Sequence, residues 1–392
     1  MYEISTYHLH IKGNIVKFSK LTSGSVAAAL VVALAIPVVQ SSSASAAVNW
    51  AKVTSASQGG GMAALEAACK KEGQLNVIAR PQDWADYGVM LDGFKKKYGV
   101  KIDEANPEGS SQDEINAAET NKGTKRSPDV FDLSTSTAVL YLGKGTYAPY
   151  KVKLWNYIDG AAAISPNAEI TPNYVGTLTI GYNSSLLGTI TKLDDLFDAK
   201  FKGKVALNGD PLASGTGLNG IFMINKALGG NFSDITKGVA WFKKLNDAGN
   251  FINVNPTAAT IASGQTPVVI DNGYVQVAAA RKLAAAGVAW KLFTPASVGG
   301  GYNSAISAWA PNPACARLWM EYTLGETGAG VWAVGGATPR VWAWMVKTKR
   351  APAAGIAVIG KNRISADQAT PAQSTAARDY LKTAWSAAVG LR

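Results

Sequence analysis

Histidine is almost missing from this chain: among 392 residues only His8 and His10 carry an imidazole, both within the first ten positions. Cysteine is equally scarce. Cys69 and Cys315 are the only two, too few for a disulfide scaffold or a four-cysteine zinc site. No apolar run reaches the roughly 18 residues of a membrane-spanning helix, which excludes a multi-pass helical membrane protein. The 40 Gly and 16 Pro follow no collagen-like period, and no internal repeat is present. With 47% hydrophobic and 17% charged residues, the composition is that of a folded chain rather than a disordered one, long enough for two or three folding units.

The N-terminus reads as an export signal. Lys12, Lys17 and Lys20 precede an apolar run from Val26 to Val39, and Ala44-Ser45-Ala46 supplies the small-x-small pattern read by signal peptidase. The run spans 14 residues and contains Pro37, short for a bilayer anchor of roughly 20. Residues 1–46 are therefore expected to be a signal peptide cleaved before Ala47. The mature protein is then periplasmic or secreted. No Cys follows closely enough to carry a lipid.

Removing that segment removes both histidines. Ser-His-Asp and Cys-His mechanisms, His-ligated metals and the commonest general base go with them, and an enzyme would have to use carboxylates, Lys or Tyr. The segment also takes away a net two positive charges, lowering the formal charge from +11 to +9. Those charges are scattered, and Lys95-Lys96-Lys97 reads as a solvated helix face. Without a nucleic-acid motif, no nucleic-acid partner is expected.

Residues 47–61, rich in Ser and Gly, read as a flexible leader. Beyond them helices and strands alternate. A helix over 62–72 stops at Gly73 and a buried strand covers 75–79; an amphipathic helix over 87–98 stops at Gly99, with a short strand at 100–103. Ser111-Gln112-Asp113-Glu114 has capping-box spacing and opens a helix, and a third strand covers 129–133. Strands at 177–182, 204–207 and 267–270 and helices at 218–228, 235–246, 275–286 and 313–322 follow. This alternation predicts an α/β fold of mostly parallel sheets flanked by helices, with ligand sites on loops at strand C-termini. The loops 80–86, 106–112 and 134–137 offer Asp83, Trp84, Ser111 and Ser136.

The order of several local motifs resembles the periplasmic solute-binding proteins of ATP-driven (ABC) importers, in the branch of iron, polyamine, thiamine and aminophosphonate binders. Ser127-Pro128-Asp129-Val130-Phe131-Asp132 is similar to that family's third strand, and Gly181-Tyr182-Asn183 to its crossover strand. Phe201-Lys202-Gly203-Lys204-Val205 followed by Asp210-Pro211-Leu212-Ala213-Ser214-Gly215 is the most specific piece. Ala316-Arg317-Leu318-Trp319-Met320-Glu321-Tyr322 is similar to a late helix of the family. The resemblance spans roughly 73–340 and implies a two-lobed type II periplasmic-binding-protein fold, monomeric and non-catalytic, that delivers a small polar solute to an ABC permease. Its first lobe would comprise 62–176 and 296–346, its second 177–295, with hinges near 176–182 and 295–302 made permissive by Gly176, Gly181 and Gly299-Gly300-Gly301. Residues 347–392 form a partly helical tail outside the resemblance. Both cysteines fall on helices of the implied first lobe, as a disulfide or as two buried thiols.

Ser214-Gly215-Thr216-Gly217 precedes a helix, where N–H groups and hydroxyls suit an acidic group, although a plain capping turn explains the same residues. The overlapping G-x-G-x-x-G match at 215–220 lacks a strand directly before it, and no dinucleotide or other cofactor is expected. Tyr182, Tyr274 and Tyr302, with Trp84, could stack on a cation or sugar, and Asp83 or Asp271 could pair with an ammonium group. Tyr-Tyr never occurs, and metal binding is not expected. The ligand stays open between an anion such as a phosphonate, favoured by the basic charge, and a polyamine or other amine. The competing classes are a secreted carboxylate-dependent hydrolase such as a glycosidase, and a carbohydrate-binding protein without a transporter.

Overall fold

A computed structural model describes residues 48–362 and 366–390; the expected signal peptide lies outside the described residues. The described residues form ten strands: β1 (Gln74–Ile78), β2 (Lys101–Ala105), β3 (Val130–Ser134), β4 (Tyr147–Ala148), β5 (Ile170–Asn183), β6 (Val205–Leu207), β7 (Val268–Asn272), β8 (Trp290–Phe293), β9 (Gly299–Ser307) and β10 (Thr338–Pro339). Helix ends follow their local signals. Gly73 and Gly99 terminate Met62–Glu72 and Tyr87–Tyr98 with φ of 74° and 68°, a conformation that costs glycine nothing. The capping box sits one residue earlier than its spacing suggested: Ser110, with Asp113, caps Ser111–Thr120.

The sheets are mixed rather than mostly parallel. Among the described strands parallel pairing joins only β1 with β2 and β6 with β7, besides isolated parallel bridges; a larger sheet runs β3-β9-β5-β7-β6, with β5 antiparallel to both β9 and β7. The 14-residue β5 is shared between the lobes. Its first half pairs with β9 in the first lobe, and its second half pairs with β7 and β8 in the second. Where β5 and β9 cross, Gly176 faces Gly300 and Thr177 faces Gly299.

None of the glycines 176, 181, 299, 300 and 301 has positive φ. Space, not backbone freedom, requires them: a Cβ at Gly176 would lie 2.5 Å from the Tyr274 ring, and one at Gly181 1.9 Å from Gln276 Oε1. These crossings are packed extended strands, so their glycines serve close approach rather than conformational permissiveness.

Two principal cores hold the lobes. Leu65, Met90, Phe94, Trp319, Trp332 and Trp342 centre the first; Leu178, Phe222, Phe242 and Leu245 centre the second. Helices Met62–Glu72 and Pro313–Thr323 are joined in the first core by a disulfide between Cys69 and Cys315, and the Glu72 carboxylate accepts the N–H groups of Ala314 and Cys315.

The 47–61 leader, expected to be flexible, is packed over its described residues. Trp50, Val53 and Ala56 enter the first core, and the buried Arg317 donates to the carbonyls of Val53 (2.7 Å) and Ala51 (3.1 Å). Its small residues fit against Trp50, whose ring leaves no room for a side chain at Gly59.

The C-terminal tail is structural too. Helix Ala353–Ile359 packs on the first lobe, Asp367 bridges to Val298, and Pro371–Val389 lays Ala377, Leu381, Trp385, Ala388 and Val389 onto the second core. The chain thus passes between the lobes a third time.

Candidate functional site

A cavity of about 450 Å³ lies between the lobes, within the ~300–1,000 Å³ typical of small-ligand pockets. The first lobe contributes the loops after β1 and β2, the start of helix Ser111–Thr120, Asp132 of β3 and Tyr302 of β9. The second contributes the segment after β6, residues 253–258, and one face of helix Gly273–Ala284. The loops are tightly wound. Ala79, Ala85, Asp86 and Asn106 all have positive φ, unusual for residues other than glycine, and all four follow β1 or β2.

The wall is acidic. Among the described residues Asp83, Glu108, Asp113, Glu114, Asp132 and Asp210 line it against a single basic lining residue, Lys282. Behind them the buried Arg80 guanidinium contacts Glu114 at 3.4 Å. Asp132 accepts from the hydroxyls of Tyr87 (2.8 Å) and Tyr174 (2.9 Å), and Glu114 from the Asp132 N–H (2.8 Å). Burial pushes the Glu114 carboxyl up to about 8 against the pull of Arg80. Glu114 is then largely protonated near neutrality, and Arg80 balances Asp132. Asp113 caps its own helix, Asp210 binds the Leu212 N–H, and Asp83 pairs with Lys282 across the lobes at 3.1 Å. Glu108 makes no hydrogen bond or ion pair among the described residues, and burial together with the neighbouring Asp83 raises its carboxyl. Among the described residues Glu108, Asp113 and Asp210 have no cationic partner, which gives the cavity negative charge on a basic protein.

Six of the residues singled out in the sequence meet at this cavity: Asp83, Trp84, Ser111, Ser214, Thr216 and Tyr302. Trp84 stands edge-on to Tyr302 and Tyr274, with ring centroids 5.7 and 5.2 Å apart, and donates its indole N–H to Tyr174. The other five lie elsewhere. Tyr182 is on β5 in the second core, because strand alternation turns it inward. Tyr274 is buried against Trp84 and Tyr174, away from the cavity surface. Asp271 sits behind the wall, accepting from Asn208 and Asn272, and burial lifts its carboxyl to about 7, which disfavours it as an anionic partner for an ammonium group. Ser136 accepts from Arg378 of the C-terminal helix. Gly215 packs on Ser134 of the other lobe.

The hydroxyls at the start of helix Gly215–Ala227 are engaged by protein groups. Ser214 Oγ accepts the Gly217 N–H, while Thr216 Oγ1 accepts from Asn272 and hydrogen-bonds the Tyr302 hydroxyl at 3.0 Å. The plain capping reading fits this segment better than an anion cradle. Sequence reasoning missed Glu108, although its loop was recognised, and missed Asp210 and the 253–258 segment. An unpaired carboxylate in a loop after a strand was the available signal for Glu108; 253–258 has no periodicity that would mark it.

The fold has counterparts of known structure. It is similar to iron-bound HitA from Pseudomonas aeruginosa (16% identity, covering 81% of this chain and 99% of that one, TM-score 0.57). It is similar to AfuA from Actinobacillus pleuropneumoniae with fructose-6-phosphate bound (18%, 82% and 100%, TM-score 0.58). A putative spermidine/putrescine ABC transporter protein from Listeria monocytogenes shares it as well (16%, 79% and 99%, TM-score 0.55). These likenesses establish a type II periplasmic-binding-protein fold. No curated protein sequence matches the chain. The model of a sequence family, bacterial extracellular solute-binding protein, matches residues 89–341. That match spans more than half of the chain, which therefore belongs to the bacterial extracellular solute-binding protein family and captures a solute outside the cytoplasm rather than transforming it.

Proposed function

We propose that the cavity captures a small solute carrying a protonated amine, and that the closed protein hands it to an ABC permease after export and cleavage near Ala46. One observation carries the amine reading: among the described residues three carboxylates without a cationic partner, Glu108, Asp113 and Asp210, face a cavity whose one basic lining residue is already paired with Asp83. A phosphonate or sugar phosphate would meet like charge there, whereas an ammonium group gains charge-assisted hydrogen bonds. The Trp84 and Tyr302 rings add apolar surface for the carbon stem, and a ring face, where one is reached, attracts the cation. The formal charge of the whole chain points the other way, but it is spread over the surface, and only the groups lining the cavity are close enough to select a ligand. Among the described residues no group of three His, Cys, Asp or Glu forms a metal-holding cluster.

A thermal-shift screen of the mature protein against amines, phosphonates, sugar phosphates and neutral sugars tests this. A ligand at a hundredfold excess over its dissociation constant adds about 2.7 kcal/mol of apparent stability. Stabilisation by amines, reduced in Glu108→Gln, is the expected result; stabilisation by phosphorylated compounds and not by amines overturns the reading.

A further inference from the structure

The cavity wall has two chemically different halves. Every lining carboxylate except Asp210 comes from the first lobe, whereas the second lobe, beside the polar Asn208, Asn253, Asn255 and Thr257, contributes the apolar Leu207, Phe251, Val254, Ile261, Leu283 and Val288. We propose that the solute is amphiphilic, a protonated amine joined to an alkyl or aryl body, with the ammonium near Asp83 and Glu108 and the body seated in this second-lobe recess. The inference rests on the amine reading and adds the other half of the ligand.

The arrangement of helix Gly273–Ala284 and its extension supports the division. Val275, Ala279, Lys282, Leu283 and Ala286 line the cavity at helical spacing, so one face runs along its length. Lys282 marks the acidic end by its bond to Asp83. Beyond it the face continues through Leu283 and Ala286 to Val288 without another charge. Ile261, Ala279 and Leu283 belong with Val269 and Trp290 to a small cluster separate from the main second-lobe core, and Val288 packs on it. The cavity side of that cluster faces open space where a core would place another layer of side chains. An apolar recess favours an apolar occupant over water. A second ammonium placed there would lose hydration without gaining a partner, which disfavours a diamine of matching length.

The probes are n-propylamine through n-hexylamine, phenethylamine, 1,4-diaminobutane and 1,6-diaminohexane, titrated calorimetrically into the mature wild-type protein. Each added methylene of the monoamines should tighten binding about fourfold until the recess is filled, and n-hexylamine should bind more tightly than 1,6-diaminohexane. Ile261→Thr should flatten the chain-length dependence, weakening n-hexylamine more than n-propylamine. Val288→Ser, at a half-buried position, provides the same readout should the first variant lose its fold by circular dichroism. Glu108→Gln should weaken all amines by a similar factor. Diamines binding as tightly as monoamines, or affinity flat with chain length, overturns the amphiphilic inference and leaves the amine reading standing. No binding by any amine overturns both.

Discussion

Replacing Gly215 by alanine puts a methyl group where the two lobes touch. The new Cβ would stand 2.2 Å from Ser134 Cβ and 2.4 Å from its Oγ, against an ordinary carbon–carbon separation of about 3.5–4.0 Å. Rotating the serine hydroxyl cannot relieve the contact, because the nearest atom is the Cβ itself. The Oγ is also held, donating to Thr137 Oγ1 at 3.1 Å. The lobes must therefore part by roughly 1.5 Å or distort locally, and overpacking of this kind costs about 1–3 kcal/mol. That cost falls on the closed form alone. If binding requires closure, affinity should drop roughly fivefold to a hundredfold. In the open form the same change substitutes alanine for glycine in a helical turn, which stabilises by up to about 1 kcal/mol. The two effects have opposite signs. Calorimetry with the tightest amine should show weaker binding, ligand-free melting should hold or rise, and small-angle scattering should show less ligand-induced compaction. Wild-type affinity with normal compaction would refute the closed-state contact.

Three further outcomes are expected. Because Glu114 is raised to about 8, it keeps its proton in the folded protein while the unfolded chain releases it from about pH 4.5 upward, so its contribution is full at low pH and is lost as pH rises toward 8. Glu114→Gln should remove that part of the fall in melting temperature between pH 5 and 8; equal slopes in both proteins would contradict it. The disulfide joins positions 246 residues apart, and the paired Cys69→Ser and Cys315→Ser changes should cost up to about 5 kcal/mol in the chain-entropy model; an unchanged denaturation midpoint would count against a stabilising bridge. Arg317→Met severs the bonds to Ala51 and Val53, so limited proteolysis should cut near residues 50–56, and resistance there would show that Trp50 and Val53 hold the segment without the arginine.

Features encoded locally were legible before the structure. Gly73 and Gly99 announce helix ends because a left-handed residue at that position favours glycine, and Pro313 opens its helix at the first turn as expected. What escaped depends on distant partners. The 48–61 segment has a linker-like composition, and nothing near it in sequence reveals that Arg317, more than 260 residues away, will bind its carbonyls. The alternation of helices and strands suggested mostly parallel sheets, yet the direction of β5 relative to β9 and β7 is decided by how the chain returns, not by the strands themselves. At the site, residue type identified Asp83 and Trp84. It could not separate Tyr302, on the cavity, from Tyr182, in the core, since both are tyrosines on crossing strands and only the face they point to differs.

The placement of the last helix has a consequence for how the protein is made. Phe242 packs against Trp385, so the second core lacks one of its major side chains until Pro371–Val389 has been synthesised. The first core likewise waits for Trp319, Trp332 and Cys315. Neither half can finish collapsing while a ribosome or a transport channel still holds the C-terminal portion. If the chain leaves the cytoplasm unfolded, the late arrival of Trp319, Trp332 and Trp385 keeps both cores incomplete and the polypeptide threadable during passage.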